Sequence, residues 1–242
     1  MASKKESKKD KSVIVPQRDK IKESLSIFHR DDLTNNQRNL IELINHKETK
    51  IVFINGVAGT SKTYIAVLCA LMLLDSKRVS DLIYFRTIVE SAGKSLGSLP
   101  GELEEKFSPF MGPLLDKLEE LLPRQEAEKL IKEKRVQALP INYLRGASFN
   151  AKFLLADEAQ NFTFEELTTL VTRFGKFSKM VIVGDTRQAD IGAKSGFKKM
   201  FDIFDDESSK QNGIHTFSFT EDDIVRSELL KFIVRKIESG KQ

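Results

Sequence analysis

At 242 residues, with 40% hydrophobic and 31% charged side chains, the chain is long enough for one substantial core and too polar for a membrane protein. No apolar run approaches the roughly 18 residues of a spanning helix, and the lysine-bearing start MASKKESKKDK leads into no apolar stretch, so neither a membrane span nor a secretory signal is predicted and the cytoplasm is the expected compartment. The net charge of +4 is compatible with a polyanionic partner without demanding one, and the single cysteine, Cys69, excludes an internal disulfide or a cysteine zinc site and reads as a core residue.

Residues 1–30 lack sustained apolar periodicity, and Ser3 to Lys11 holds five lysines against one Glu and one Asp, so this stretch is expected to be a disordered basic arm ahead of a single domain over 31–242. From Thr34 an apolar helical stripe begins (Leu40, Ile41, Leu43, Ile44). Lys50 to Asn55 then reads as a short buried strand, followed by a glycine-containing turn and a helix over Thr63 to Leu74. Similar short strands are predicted at Leu82 to Phe85, Phe153 to Ala156, Met180 to Val183 and Ile214 to Phe219. The interval 91–140 contains Pro100, Pro109, Pro113 and Pro123 together with a charged helical stretch, and reads as a helical insertion between core strands. Thr163 and Glu166 form a capping box for a helix over Phe164 to Phe174. Buried strands alternating with helices predict an α/β fold with a mainly parallel sheet.

The turn after the first strand carries the chemistry. Gly56-Val57-Ala58-Gly59-Thr60-Ser61-Lys62-Thr63 fits the Walker A pattern except that Ser61 stands where glycine is usual. A turn between strand and helix points successive backbone N–H groups inward and, with the helix N-terminus, cradles phosphate oxygens. Lys62 would reach the β and γ phosphates and Thr63 would offer its hydroxyl to Mg2+. Ser61 raises the question of whether a Cβ crowds the loop and slows nucleotide handling. Asp157-Glu158-Ala159-Gln160 follows the apolar strand FLLA, where ligands of open α/β sheets collect. Asp157 would hold the metal through water, and Glu158 would orient and deprotonate the attacking water. Gly184-Asp185-Thr186-Arg187-Gln188 repeats the strand-then-polar arrangement, with Gln188 a candidate for contacting the γ-phosphate or the lytic water.

With these three motifs in order, the sequence resembles the PhoH family of ATPases, whose RecA-like core is similar to that of superfamily 1 helicases. Further pieces that resemble it are Phe85-Arg86-Thr87, Glu90-Ser91-Ala92-Gly93, Leu96 to Gly101, Tyr143-Leu144-Arg145-Gly146, Ser195-Gly196 and Asp223-Ile224-Val225-Arg226-Ser227, and the likeness leans toward shorter phage-type members. The resemblance implies that Gln37 contacts adenine, although Thr34 and Gln37 also have capping-box spacing and Gln37 would then cap its own helix. It implies that Arg226 supplies a cation to the γ-phosphate, within its subunit or across an interface. Arg86 and Arg145 are candidates for phosphate or nucleic-acid contact or for structural ion pairs. The implied activity is Mg2+-dependent hydrolysis of ATP coupled to single-stranded nucleic acid, RNA ahead of DNA. The length leaves no room for a second RecA-like lobe, so movement along a strand would call for a ring or dimer, possibly a hexamer. A nuclease domain of the PIN type is not expected. The competing reading is a nucleotide-gated scaffold with little turnover, for which Ser61 is the best support; a small-molecule kinase fits GDxxQ poorly.

Overall fold

The computed structural model describes residues 21, 23–87, 103–141, 144, 148–225 and 227–239, with side chains not described at 103–110 and 238–239. In chain order the elements are α1 (Asn35–Asn45), β1 (Ile51–Asn55), α2 (Lys62–Asp75), β2 (Asp81–Phe85), α3 (Leu103–Leu121), α4 (Arg124–Lys132), β3 (Val136–Leu139), β4 (Lys152–Ala156), α5 (Phe164–Val171), β5 (Lys179–Gly184), α6 (Phe197–Phe204), α7 (Glu207–Gln211), β6 (Ile214–Ser218) and α8 (Glu228–Ser239). Among them no helix is long and apolar enough to cross a membrane.

The four inner strands, β1, β2, β4 and β5, are apolar almost end to end because both faces of the sheet are covered there. Along β1 the side chains alternate: Val52 and Ile54 join Leu40, Ile65, Leu68 and Leu71 under α1 and α2, while Ile51 and Phe53 face Leu167, Leu170 and Phe197 under α5 and α6. The result is a six-stranded sheet in the order β3-β2-β4-β5-β1-β6, parallel at every pairing. This is a RecA-like α/β core. The capping box predicted at Thr163 and Glu166 closes α5, and the one that was an alternative reading of Thr34 and Gln37 closes α1.

The order positions the site. The chain leaves β1 and passes over β5 and β4 to reach β2, so β4 and β5 are inserted beside β1 later in the sequence. Register then fixes where each strand stops: Asn55 pairs with Gly184, and Ala156 pairs with both Ile182 and Phe85. The residues following β1, β4 and β5 therefore emerge on one edge of the sheet, at its carboxyl ends.

Two segments differ from the sequence reading. Residues 23–30, counted there with the basic arm, form an extended strap on the core. Leu25 N donates to Asp75 Oδ1 at 2.7 Å, Ser26 N to Glu126 Oε2 at 2.9 Å and Phe28 N to Leu121 O at 2.8 Å. Within the stretch read as a helical insertion, α3 and α4 are followed by a strand, β3, which pairs with β2 at the sheet edge.

Candidate nucleotide-binding site

The loop after β1 wraps tightly because it satisfies itself. Thr60, fully buried, donates its hydroxyl to Val57 O at 2.8 Å, and Gly56 N donates to Gly184 O at 3.2 Å, which pins the loop to β5. Gly59 has φ 87°, and a Cβ there would meet Leu230 Cδ2 at 2.7 Å. Ser61 caps α2 with φ 62° and ψ 24° and makes no side-chain cap bond. The positive φ explains the usual glycine at this position: serine bears the cost of a left-handed backbone, about 1–2 kcal/mol.

Ala58, Gly59, Ser61, Lys62 and Thr63 line a cavity of about 590 Å³, within the range of small-molecule sites. Gly56, Val57 and Thr60 sit behind that surface as its support, with Val57 and Thr60 buried. The Lys62 ammonium donates to Gly56 O and to Val57 O at 2.7 Å. Burial pushes its pKa down from the ordinary lysine value, against the attraction of Asp185, Glu158 and Asp157.

Asp157 leaves β4 directly beneath the loop. Its Oδ1 accepts from Thr63 Oγ1 at 2.9 Å, and its Oδ2 accepts from Tyr84 Oη at 2.8 Å. Burial, reinforced by the charge of Glu158, raises its pKa, and the bonds from Tyr84 and Thr63 work against that rise. Glu158 is held at φ 53° and ψ 42°, a strained conformation for a residue with a side chain. Gln160 fixes it: the amide Nε2 donates to Glu158 Oε2 at 2.6 Å while its Oε1 accepts from Asp185 N at 3.0 Å. Arg86 Nη2 stands 3.9 Å from Glu158 Oε1. Asp185 accepts from Arg187 N at 2.9 Å through Oδ1, and its buried Oδ2 has no hydrogen-bond partner. Gln188 turns back on Asp185, its N–H donating to Asp185 O at 3.2 Å, and it lines the cavity.

The geometry thus brings Lys62, Thr63, Asp157, Glu158, Asp185 and Gln188 to one cavity. Gln37 is elsewhere: fully buried, it accepts from Thr34 N at 3.0 Å and donates to Thr60 O at 3.2 Å and Asp223 O at 3.3 Å. Of its two readings from sequence, the capping geometry is the one present, and it braces the phosphate loop from behind. Arg226 and Arg145 lie outside the described residues. Val225, which precedes Arg226 in sequence, lies beside the loop, its N donating to Gly59 O at 3.3 Å, and it lines the cavity. Sequence reasoning missed the far wall, where the Arg30 guanidinium stacks over the Tyr64 ring at 5.3 Å beside Lys117 and Glu120. These residues come from three separate elements, so only the fold assembles them.

The residues fit Mg2+. A hydroxyl and a carboxylate already converge at Thr63 and Asp157, and a second buried carboxylate oxygen, on Asp185, has unused acceptor capacity. Among the described residues no cluster of three or more His, Cys, Asp or Glu side chains could hold a metal unaided. That suits an ion usually bound by one or two carboxylates together with phosphates and water.

Comparison with known proteins agrees with the motifs. A model of the family described as "PhoH-like protein" matches residues 31–238. The "PhoH-like protein" of Mycobacterium tuberculosis (strain H37Rv) is 39% identical over 203 residues, covering 83% of this chain and 56% of the relative. That of Bacillus subtilis (strain 168) is 37% identical over 193 residues, covering 78% and 58%, and "Protein PhoH" of Escherichia coli (strain K12) is 30% identical over 201 residues, covering 81% and 55%. The chain therefore spans a little over half the length of these relatives. Among solved structures, the Pif1 helicase from Candida albicans aligns with a TM-score of 0.35 at 14% identity, over 77% of this chain and 40% of that one; so low a score carries no argument, and the fold assignment rests on the strand order itself. With the family model covering most of its length and its three phosphate-site motifs gathered on one sheet edge, the chain belongs to the PhoH-like protein family.

Proposed function

We propose that the protein hydrolyses ATP in an Mg2+-dependent reaction coupled to single-stranded nucleic acid, RNA ahead of DNA. The observation that carries the reading is the convergence of three strand ends, bearing Lys62 and Thr63, Asp157 and Glu158, and Asp185 and Gln188, on one cavity of about 590 Å³. The loop from Gly56 to Thr63 cradles the phosphates with its N–H groups, and Lys62 exchanges its carbonyl partners for the β and γ oxygens. Thr63 and Asp157 would hold Mg2+, the latter through water, and the bound ion would neutralise phosphate charge. Glu158, kept in place by Gln160, accepts the proton of the attacking water, and Gln188 orients that water against the γ-phosphate. Arg226, which follows the cavity-lining Val225 in sequence, is assigned to balance charge on the transferred phosphoryl group, from its own subunit or from a neighbour in a ring.

Phosphate release from Mg2+·ATP, with and without single-stranded RNA and DNA, tests this when the unaltered chain is compared with Lys62→Ala and Glu158→Gln. The expected result is hydrolysis lost in both variants and raised by one of the polymers. If ATP binds in a Lys62-dependent way but turnover does not exceed the Glu158→Gln background, the protein is a nucleotide-gated scaffold instead.

A further inference from the structure

A second cavity, of about 860 Å³, opens at the amino-terminal edge of the sheet, opposite the nucleotide site. Because the strands are parallel, the turns entering β1, β2 and β5 meet there, and each brings cations. Every charged residue lining the cavity is basic: Lys47 and Lys50 before β1, Lys77 and Arg78 before β2, and Lys176 before β5 with Lys179 at its start. Glu48 lies on the first of these turns but outside the lining. Three of the cations are held by carbonyls, with Lys50 donating to Asn212 O at 3.0 Å, Arg78 to Asn45 O at 2.7 Å and Lys179 to His46 O at 2.8 Å. Among the described residues Lys47, Lys77 and Lys176 form no ion pair and are exposed. Burial, with the neighbouring Arg78 adding to it, pushes Lys179 down to about 8.

At the rim stands Phe177, 82% exposed and held at φ 60°. A phenylalanine presented to solvent in the left-handed region is unfavourable on two counts, hydration of the ring and backbone strain, and glycine or asparagine would satisfy the turn better. Flexible cations around a concavity with an exposed aromatic face at its rim are what a single strand requires: charges for phosphates and a ring for an unpaired base. A flat lipid surface meets the same chemistry, but a recess suits a strand that can bend into it.

We propose that this amino-terminal edge is a contact surface for single-stranded nucleic acid, in which Lys47, Lys77 and Lys176 engage backbone phosphates and a base stacks on Phe177. The inference rests on the proposed nucleic-acid coupling for its choice of polymer, and it places part of the strand on the side of the sheet away from the nucleotide.

The test is fluorescence anisotropy of dye-labelled oligouridylate and oligothymidylate of about 20 nucleotides on the full chain, across a salt titration, for the unaltered protein, Lys47→Gln/Lys176→Gln and Phe177→Gly. The double variant should flatten the plot of log affinity against log salt by about 1.4, two phosphate contacts at roughly 0.7 each for a single strand. Phe177→Gly should weaken binding about tenfold with the slope unchanged, and Phe177→Trp should restore it. Because glycine relieves the positive φ, Phe177→Gly should unfold at no lower temperature than the parent, and ATP hydrolysis without polymer should be unchanged in all variants. Oligonucleotide binding that survives both variants would overturn this placement and leave the nucleic-acid reading standing. No oligonucleotide binding by the unaltered chain would remove that reading and the placement together. Phe177-dependent binding to phosphatidylserine vesicles, with none to oligonucleotides, would make the edge a membrane contact and refute the proposal.

Discussion

Ser61 offers the most direct test of how this loop is built. Its φ of 62° and ψ of 24° place it in the left-handed region, and its hydroxyl makes no cap bond, so replacing it with glycine removes strain and forfeits no hydrogen bond. The strain of a side chain in that region is about 1–2 kcal/mol, and the extra freedom that glycine brings to the unfolded chain returns about 0.4–1 kcal/mol of it. Taking the middle of each range, Ser61→Gly should therefore stabilise the protein by about 0.8 kcal/mol, which for a chain of this size raises Tm by about 2–3 °C. Thermal unfolding without nucleotide measures it, with Ser61→Val as the opposite arm: a β-branched residue at positive φ should lower Tm. Lys62-dependent ATP binding should be at least as tight in Ser61→Gly as in the parent. An unchanged or lower Tm for Ser61→Gly would refute the account, showing that the serine side chain stabilises the loop by more than its backbone costs.

Tyr84→Phe strips a hydrogen bond from the buried Asp157 Oδ2 and should cost about 1.5–3 kcal/mol in urea unfolding, as expected for a bond to a charged group; an unchanged midpoint would refute it. Asp157 has its pKa raised by burial, so its favourable contribution to folding is complete below the unfolded value of 3.8 and is lost as pH rises through the higher folded value. At neutral pH the ionised carboxylate therefore counts against the fold. The Tm of Asp157→Asn, measured without metal or nucleotide, should gain on the parent as pH rises from about 4 to 7, and a difference that is flat or shrinks over that range would reject the burial argument. Gly196→Ala should lose about 1–3 kcal/mol or more, because its Cβ would stand 2.3 Å from Phe164 backbone atoms. Gly192→Ala, which meets nothing within 4 Å and only strains φ +55°, should lose less in the same unfolding assay.

Four of the five strands legible in the sequence, β1, β2, β4 and β5, are buried on both faces, where apolar and β-branched runs are obligatory; the fifth, β6, is a half-buried edge strand whose IHTFS still carries β-branched and aromatic residues. β3 was not legible because at the sheet edge VQAL needs only one buried face, and its alternation disappears beside the charged helix before it. The strap over 23–30 was hidden for a different reason. Besides its backbone donors to Asp75, Glu126 and Leu121, it packs Leu25 and Ile27 against the core, an alternation too short to read as a strand. In the site, Lys62, Thr63, Asp157 and Glu158 could be read because phosphate loops and strand-end carboxylates are contiguous patterns. Tyr84, Arg30 and Lys117 could not, since their proximity to the site exists only after β2, the strap and α3 have packed.

Two residues noted in the sequence, Gln37 and Gln160, show how the charged site is held without spending further charge. Each is buried, and each ties two motifs together by donating and accepting at once. Gln160 links the Glu158 carboxylate to the β5 loop; Gln37 links the phosphate loop at Thr60 to Asp223, three residues before Arg226. An ion at either position would bear a desolvation penalty of several kcal/mol, and a hydroxyl would lack the two donors that Gln37 uses. A neutral amide avoids both problems. It leaves Lys62, Glu158 and Gln188 facing the cavity, with Asp185 on the β5 side joined to Glu158 through a single side chain.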